Sequence, residues 1–203
     1  MSGAHDNDRY KIYTEKSYYH VYNRGINKQI IFHDDDDYRQ FLGILKRQLA
    51  AKKVFDKGNR HFYSNFQDEI EILAFALMPN HFHLLIYQEP PDGMTRFMKS
   101  LLTGYSKYYN KKYDRVGPLF QGRYKAEKIC GDETVAIVSR YIHRNPKDWL
   151  RSPHTSIDFY SGNRRAEWLK PQRVLRQFSS FENYILFLQS FNATDFAPFQ
   201  KFE

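Results

Sequence analysis

Residues 70–86 read IEILAFALMPNHFHLLI. Apart from Glu71, the first nine are apolar at odd and even positions alike, the pattern of a strand covered on both faces. Pro79-Asn80 interrupts the run and HFHLLIY resumes it, which predicts two strands joined as a hairpin. Side chains alternate along an extended chain, so His81 and His83 share one face and Phe82 takes the other. Two imidazoles on one face of an apolar strand are either satisfied polar groups at a sheet edge or the holders of an ion.

Working outward, SYYHVYNRGI (17–26) has strand composition and ends in a turn at Asn23-Arg24-Gly25. A helix is expected from about Asp35, with Tyr38, Phe41, Leu42, Leu45 and Leu49 on one stripe. The aspartates at 34–37 read as first-turn carboxylates that answer the unpaired amides and the dipole, not as a metal site. KKVFDKGNRHFYSNFQDE reads as a loop with a short irregular element. MTRFMKSLLTGYSKYYNKKYD carries Phe97, Met98, Leu101, Leu102, Tyr105, Tyr108 and Tyr109 at helical spacing. VGPLFQGRYKAEKI predicts a turn and a strand, and DETVAIVSRYIHRNP a helix that Pro146 ends. Strand, helix, strand, strand, helix, strand is the ferredoxin-like order: an α+β fold with an antiparallel sheet and helices on one face. The helix at 132–145 then belongs on the opposite face, where His81 and His83 point. The organisation expected is a mobile arm over 1–14, a domain over 15–150, and a helical extension over 151–203 packed on it.

Tyr141 and Asn145 stand four apart on that last helix and share a face, although Pro146 biases Asn145 away from helical geometry. If the helix crosses the histidine face, two imidazoles, an amide oxygen and a phenol converge. Such a site, open to phosphate oxygens, suits Mg²⁺ or Mn²⁺ better than the closed tetrahedron typical of zinc. Cys130 is the one cysteine, so an internal disulfide and a cysteine zinc site are excluded.

The formal charge of +8 favours a polyanionic partner, and 17% aromatic residues add faces on which bases could stack. Lys107, Lys111, Lys112, Arg115, Arg123 and Lys125 crowd one region with Tyr105, Tyr108, Tyr109, Tyr113 and Tyr124. Helical spacing makes Tyr105 and Tyr108 core residues before base platforms, and Lys111 and Lys112 equally suit a helix C-terminus. The start, MSGAHDNDRYKIYTEK, has no secretory pattern, and no apolar stretch reaches the length of a membrane span. A cytoplasmic protein without a membrane partner is expected.

MPNHFHLLI resembles the histidine-hydrophobe-histidine (HUH) motif of single-tyrosine transposases. YHVYNRG, LFQGRYKAEKI and YIHRNP, in that order, are similar to the REP-associated tyrosine transposase branch of insertion-sequence transposases. The likeness runs from about residue 17 to 147. It implies that His81 and His83 bind a divalent metal with Asn145, and that Tyr141 is the nucleophile. The implied reaction cleaves and rejoins single-stranded or hairpin DNA through a 5′-phosphotyrosine. Asn23 and Arg24 become DNA-contact candidates beside the basic cluster, and a monomer is favoured. Two other readings stand beside it. One is a non-catalytic single-strand binding module, which the histidine pair opposes. The other is a metal-dependent hydrolase in which water attacks and Tyr141 is structural.

Overall fold

The computed structural model describes residues 13–190 apart from Asn59. The expected mobile arm therefore lies outside the described residues up to position 12, while Tyr13 is already buried against the core.

Four strands make one antiparallel sheet: β1 (Ser17–Arg24), β4 (Ile70–Met78), β5 (His81–Gln88) and β6 (Lys125–Ile129), in the order β4-β5-β1-β6. A separate two-stranded ribbon, β2 (Phe55–Asp56) and β3 (His61–Phe62), occupies the segment read as an irregular loop. The β4–β5 hairpin turns through Pro79-Asn80, with Met78 paired to His81. The register slips once between Ile72 and Ala74, a bulge that puts Leu73 and Ala74 together on one side of the sheet.

Helices α1 (Asp35–Gln48) and α2 (Gly93–Lys112) cover one face. Their Phe41, Leu45, Phe97, Leu101 and Tyr105 pack with Val21, Phe82, Leu84 and Ile86 of the sheet. Asp34 caps α1 by accepting from the Asp37 amide at 3.1 Å, as the acidic run suggests. Helix α3 (Asp132–Arg144) covers the other face, through Val135, Val138, Tyr141 and Ile142. The ferredoxin-like expectation, with an extra helix across the second face, agrees with this architecture.

Three short helices complete that second layer: α4 (Ile157–Tyr160), α5 (Gln172–Leu175) and α6 (Phe181–Gln189). Ile157, Tyr160, Val174, Tyr184 and Leu188 from these helices lie in the same buried cluster as α3. The intervening chain also closes the outer edge of β4. Leu77 N–H donates to His154 O at 2.9 Å, Ser156 N–H to Phe75 O at 3.0 Å, and Lys170 N–H to Ile72 O at 2.8 Å. An edge paired in this way offers few open backbone groups to another chain. Among the described residues no helix is long and apolar enough to cross a membrane.

Candidate active site on the second sheet face

Strand β5 presents His81 and His83 to the α3 side because Phe82 and Leu84 are claimed by the opposite core. In register, His83 faces Tyr22 of β1 and Ala76 of β4, and His81 faces Arg24 and Met78. The small Ala76 leaves room beside the imidazole where α3 crosses. Tyr141 sits there, its ring edge-on to His83 at 5.3 Å and to His20 at 5.5 Å between centroids.

Pro146 does not divert Asn145. Its backbone stays helical (φ −58°, ψ −42°), and its N–H reaches Ile142 O at 3.3 Å. The four-residue relation to Tyr141 therefore persists, and Asn145 Oδ1 lies 3.1 Å from His81 Nε2. On the other side of that ring, His81 Nδ1 lies 2.7 Å from Asn80 Oδ1. A neutral imidazole has one N–H. If Nδ1 donates to Asn80, Nε2 turns a lone pair toward the Asn145 oxygen, an arrangement that a cation between them relieves.

His83 supplies a second such atom. The side chain is buried, and its Nε2 has no hydrogen-bond partner. Burial, then the neighbouring His20 and His81, pushes its pKa well below the ordinary imidazole value, so the ring is neutral and able to donate a lone pair. An orphaned buried nitrogen is costly in a protein unless something answers it. The donor set, two imidazole nitrogens and an amide oxygen, thus fits a divalent ion. Among the described residues there is no group of three or more His, Cys, Asp or Glu side chains placed to hold a metal. The third donor here is an amide, outside that class.

Sequence reasoning assigned no role to His20. It stands on the same face of β1 as Tyr22, and its Nε2 meets His83 Nδ1 at 2.9 Å. Burial drives its pKa down to about 3, leaving it neutral. The alternation Tyr18, His20, Tyr22 in YYHVYNR was the signal that could have found it. His143, by contrast, points away. Its Nδ1 meets Tyr184 Oη at 2.7 Å and its Nε2 meets Ser156 Oγ at 2.6 Å. Burial holds its pKa at about 3, and it ties α3 to the extension.

The basic candidates separate into groups. Lys112 is committed to Asp34 and Asp37, at 2.8 Å from each. Asn23 is buried and braces the turn before β6, donating to Gly122 O at 3.3 Å while its Oδ1 accepts the Arg24 N–H at 2.9 Å. Arg24, in register with His81, donates to Gln121 Oε1 at 2.7 Å. Gly25 follows because a Cβ there would meet Gln29 O at 2.3 Å. Arg115 lies over the Tyr109 ring at 5.6 Å. Lys107, Lys111, Arg123 and Lys125 are exposed. A cavity of about 380 Å³ is lined by Tyr13, Tyr22, Arg123, Tyr124 and Lys125, and Tyr22 joins it to the histidine face. Tyr105 and Tyr109 are core residues whose hydroxyls donate to Ile31 O at 2.5 Å and Ile30 O at 2.9 Å.

Residues 13–145, more than half of the chain, match the family described as "Transposase IS200 like". The chain belongs to the IS200-like transposase family. Members of this family are enzymes that act on DNA, and this IS200-like transposase carries its matched region from Tyr13 through α3 to Asn145. Among solved structures, it is similar to a REP-associated tyrosine transposase bound to a REP hairpin, at 14% identity and a TM-score of 0.54. That alignment covers 80% of this chain and 86% of the other. At such identity the likeness concerns the fold. It is also similar to a protein of Deinococcus radiodurans R1 assigned as a transposase, at 20% identity and a TM-score of 0.41. That alignment covers 67% of this chain and 95% of the other. No curated protein matches the chain.

Proposed function

We propose that this IS200-like transposase is a metal-dependent endonuclease and strand transferase that cuts and rejoins single-stranded, hairpin-bearing DNA, with Tyr141 as nucleophile. The observation that carries the reading is the convergence of Tyr141 with His81, His83 and Asn145 on one sheet face. The solved relative bound to a REP hairpin supports a hairpin as substrate.

Tyr141 Oη attacks the scissile phosphorus, the P–O3′ bond breaks, and the 3′-oxygen leaves as a hydroxyl after taking up a proton. The 5′-phosphotyrosine keeps the bond energy, so a second 3′-hydroxyl can attack it and restore the phenol. His81, His83 and Asn145 would hold Mg²⁺ or Mn²⁺, which supplies orientation of the phosphate and neutralisation of charge on its oxygens. The edge-on contacts with His83 and His20 fix the plane of the Tyr141 ring relative to those donors. Arg123 and Lys125, with Glu127, line the aromatic cavity at Tyr22 and Tyr124, which is sized for an unpaired base. Lys112 is left out of this surface, its charge being answered internally.

The test uses end-labelled hairpin DNA from the flank of the gene with Mn²⁺, resolved on a denaturing gel. A label shifted to protein mass, lost with chelator and with Tyr141→Phe, is expected. DNA bound by the protein without any adduct would favour a binding module. Metal-dependent cleavage surviving Tyr141→Phe would assign the attack to water.

A further inference from the structure

His20 is fully buried, in β1, and its ring lies nearly parallel to that of His83 (18° between planes, centroids 5.1 Å apart). The two rings meet through His20 Nε2 and His83 Nδ1 at 2.9 Å. Two imidazole nitrogens at that distance share one proton: one donates and the other accepts. Which one donates decides the state of the far nitrogen of His83. If His83 Nδ1 carries the proton, Nε2 is a bare lone pair. If His20 Nε2 carries it, the single proton of a neutral His83 sits on Nε2, where no acceptor stands. In the first state the proton of a neutral His20 sits on its own buried Nδ1, so burial alone does not choose between the two. Only the first leaves His83 a lone pair that can act as a ligand.

The geometry points to His20 as a positioning residue: it accepts the Nδ1 proton of His83 and holds that ring in the tautomer whose Nε2 is open to a divalent ion. The inference rests on the proposed role of His83 as a ligand. Packing supports it, since Tyr22 and Tyr141 flank the His20 ring at centroid distances of 5.1 and 5.5 Å and keep it from turning. Partners that orient a metal-binding imidazole through its other nitrogen raise its basicity and fix its direction, and their removal weakens metal binding by about 10–100-fold.

The test reads the tautomer directly. Long-range ¹H–¹⁵N spectra of histidine-labelled, metal-free protein at neutral pH should place the His83 proton on Nδ1, with His83→Gln identifying the signals. A proton on Nε2 would overturn the proposal. Mn²⁺ affinity, followed by the paramagnetic resonance signal of unbound Mn²⁺, is expected to fall about 10–100-fold in His20→Phe, which keeps a planar ring but has no acceptor. His20→Gln, with an amide oxygen to accept, should recover most of the loss. Wild-type affinity in a folded His20→Phe would sink the idea. If that variant does not fold, the wild-type tautomer still decides. Wild-type protein that binds no Mn²⁺ would overturn the metal reading itself, a failure the spectrum tells apart from a wrong tautomer.

Discussion

The Asp37 carboxylate is fully buried at the start of α1 and accepts from the His33 amide at 2.8 Å, Tyr108 Oη at 3.0 Å and Tyr113 Oη at 2.7 Å, besides Lys112. Burial alone would raise its pKa, but the bonds from Lys112, His33, Tyr113 and Tyr108 outweigh that and hold it below the ordinary carboxyl value. Asp37→Asn keeps the shape and loses the charge. The Lys112 side chain is a quarter exposed, so the cost is expected to be about 2 kcal/mol rather than the larger penalty of a fully buried pair. A folded pKa below the unfolded one means the contribution is complete above about pH 4 and fades as pH falls through the folded value. Urea titrations of wild type and variant should therefore differ at pH 7 and draw together as the pH falls below the unfolded value of about 4. A constant difference across that range would show that the charge is not what matters. The sequence reading assigned Asp37 to the first helical turn. That its carboxylate also binds the far end of α2 depends on residues about seventy positions away, which local spacing does not report.

At the scale of elements, helical and strand periods were legible wherever one face is buried, because burial imposes the period. Strand β4 occupies the nine-residue run expected, and α3 runs to the residue before Asn145. The extension was read only as helical, and its four-residue helices α4 and α5 are too short for a period to register. Helix α6 is only nine residues long and rests on its cap and its packing, since a helix of that length is marginal alone. Ser180 Oγ accepts from the Asn183 amide at 3.2 Å. Ser180→Ala should cost about 1 kcal/mol of global stability, read as a lowered urea midpoint with unchanged slope. A changed slope instead would mean that α6 unfolds separately from the rest.

For the whole molecule, the second core is shared between α3 and the extension. Ending the chain at residue 150 would strip Ile157, Tyr160, Val174, Tyr184 and Leu188 from that core and expose the outer edge of β4. The shortened chain should lose its cooperative thermal transition or aggregate, whereas a soluble product melting like the full chain would make residues 151–203 dispensable. The positive charge acts at the same scale. Affinity for a hairpin should fall linearly on logarithmic axes as salt rises from about 50 to about 200 mM. Lys125→Ala and Arg123→Ala should each lower that slope by about one. Lys112→Ala should leave the slope unchanged while lowering stability.

By itself the sequence determined the order of the four sheet strands and the three long helices, the shared face of His81 and His83, and the family likeness that singles out Tyr141 and Asn145. The first two follow from spacing along the chain, where alternation in a strand and the four-residue return of a helix decide which side chains are neighbours, and the likeness rests on four motifs in order. Only the tertiary structure decided that His20 meets His83, that Asn145 stays helical ahead of Pro146, that Lys112 is spent on Asp34 and Asp37, and that the extension closes the edge of β4. Those contacts join residues remote in the chain, and the packing of two layers on one sheet, not any local period, brings them within hydrogen-bonding distance.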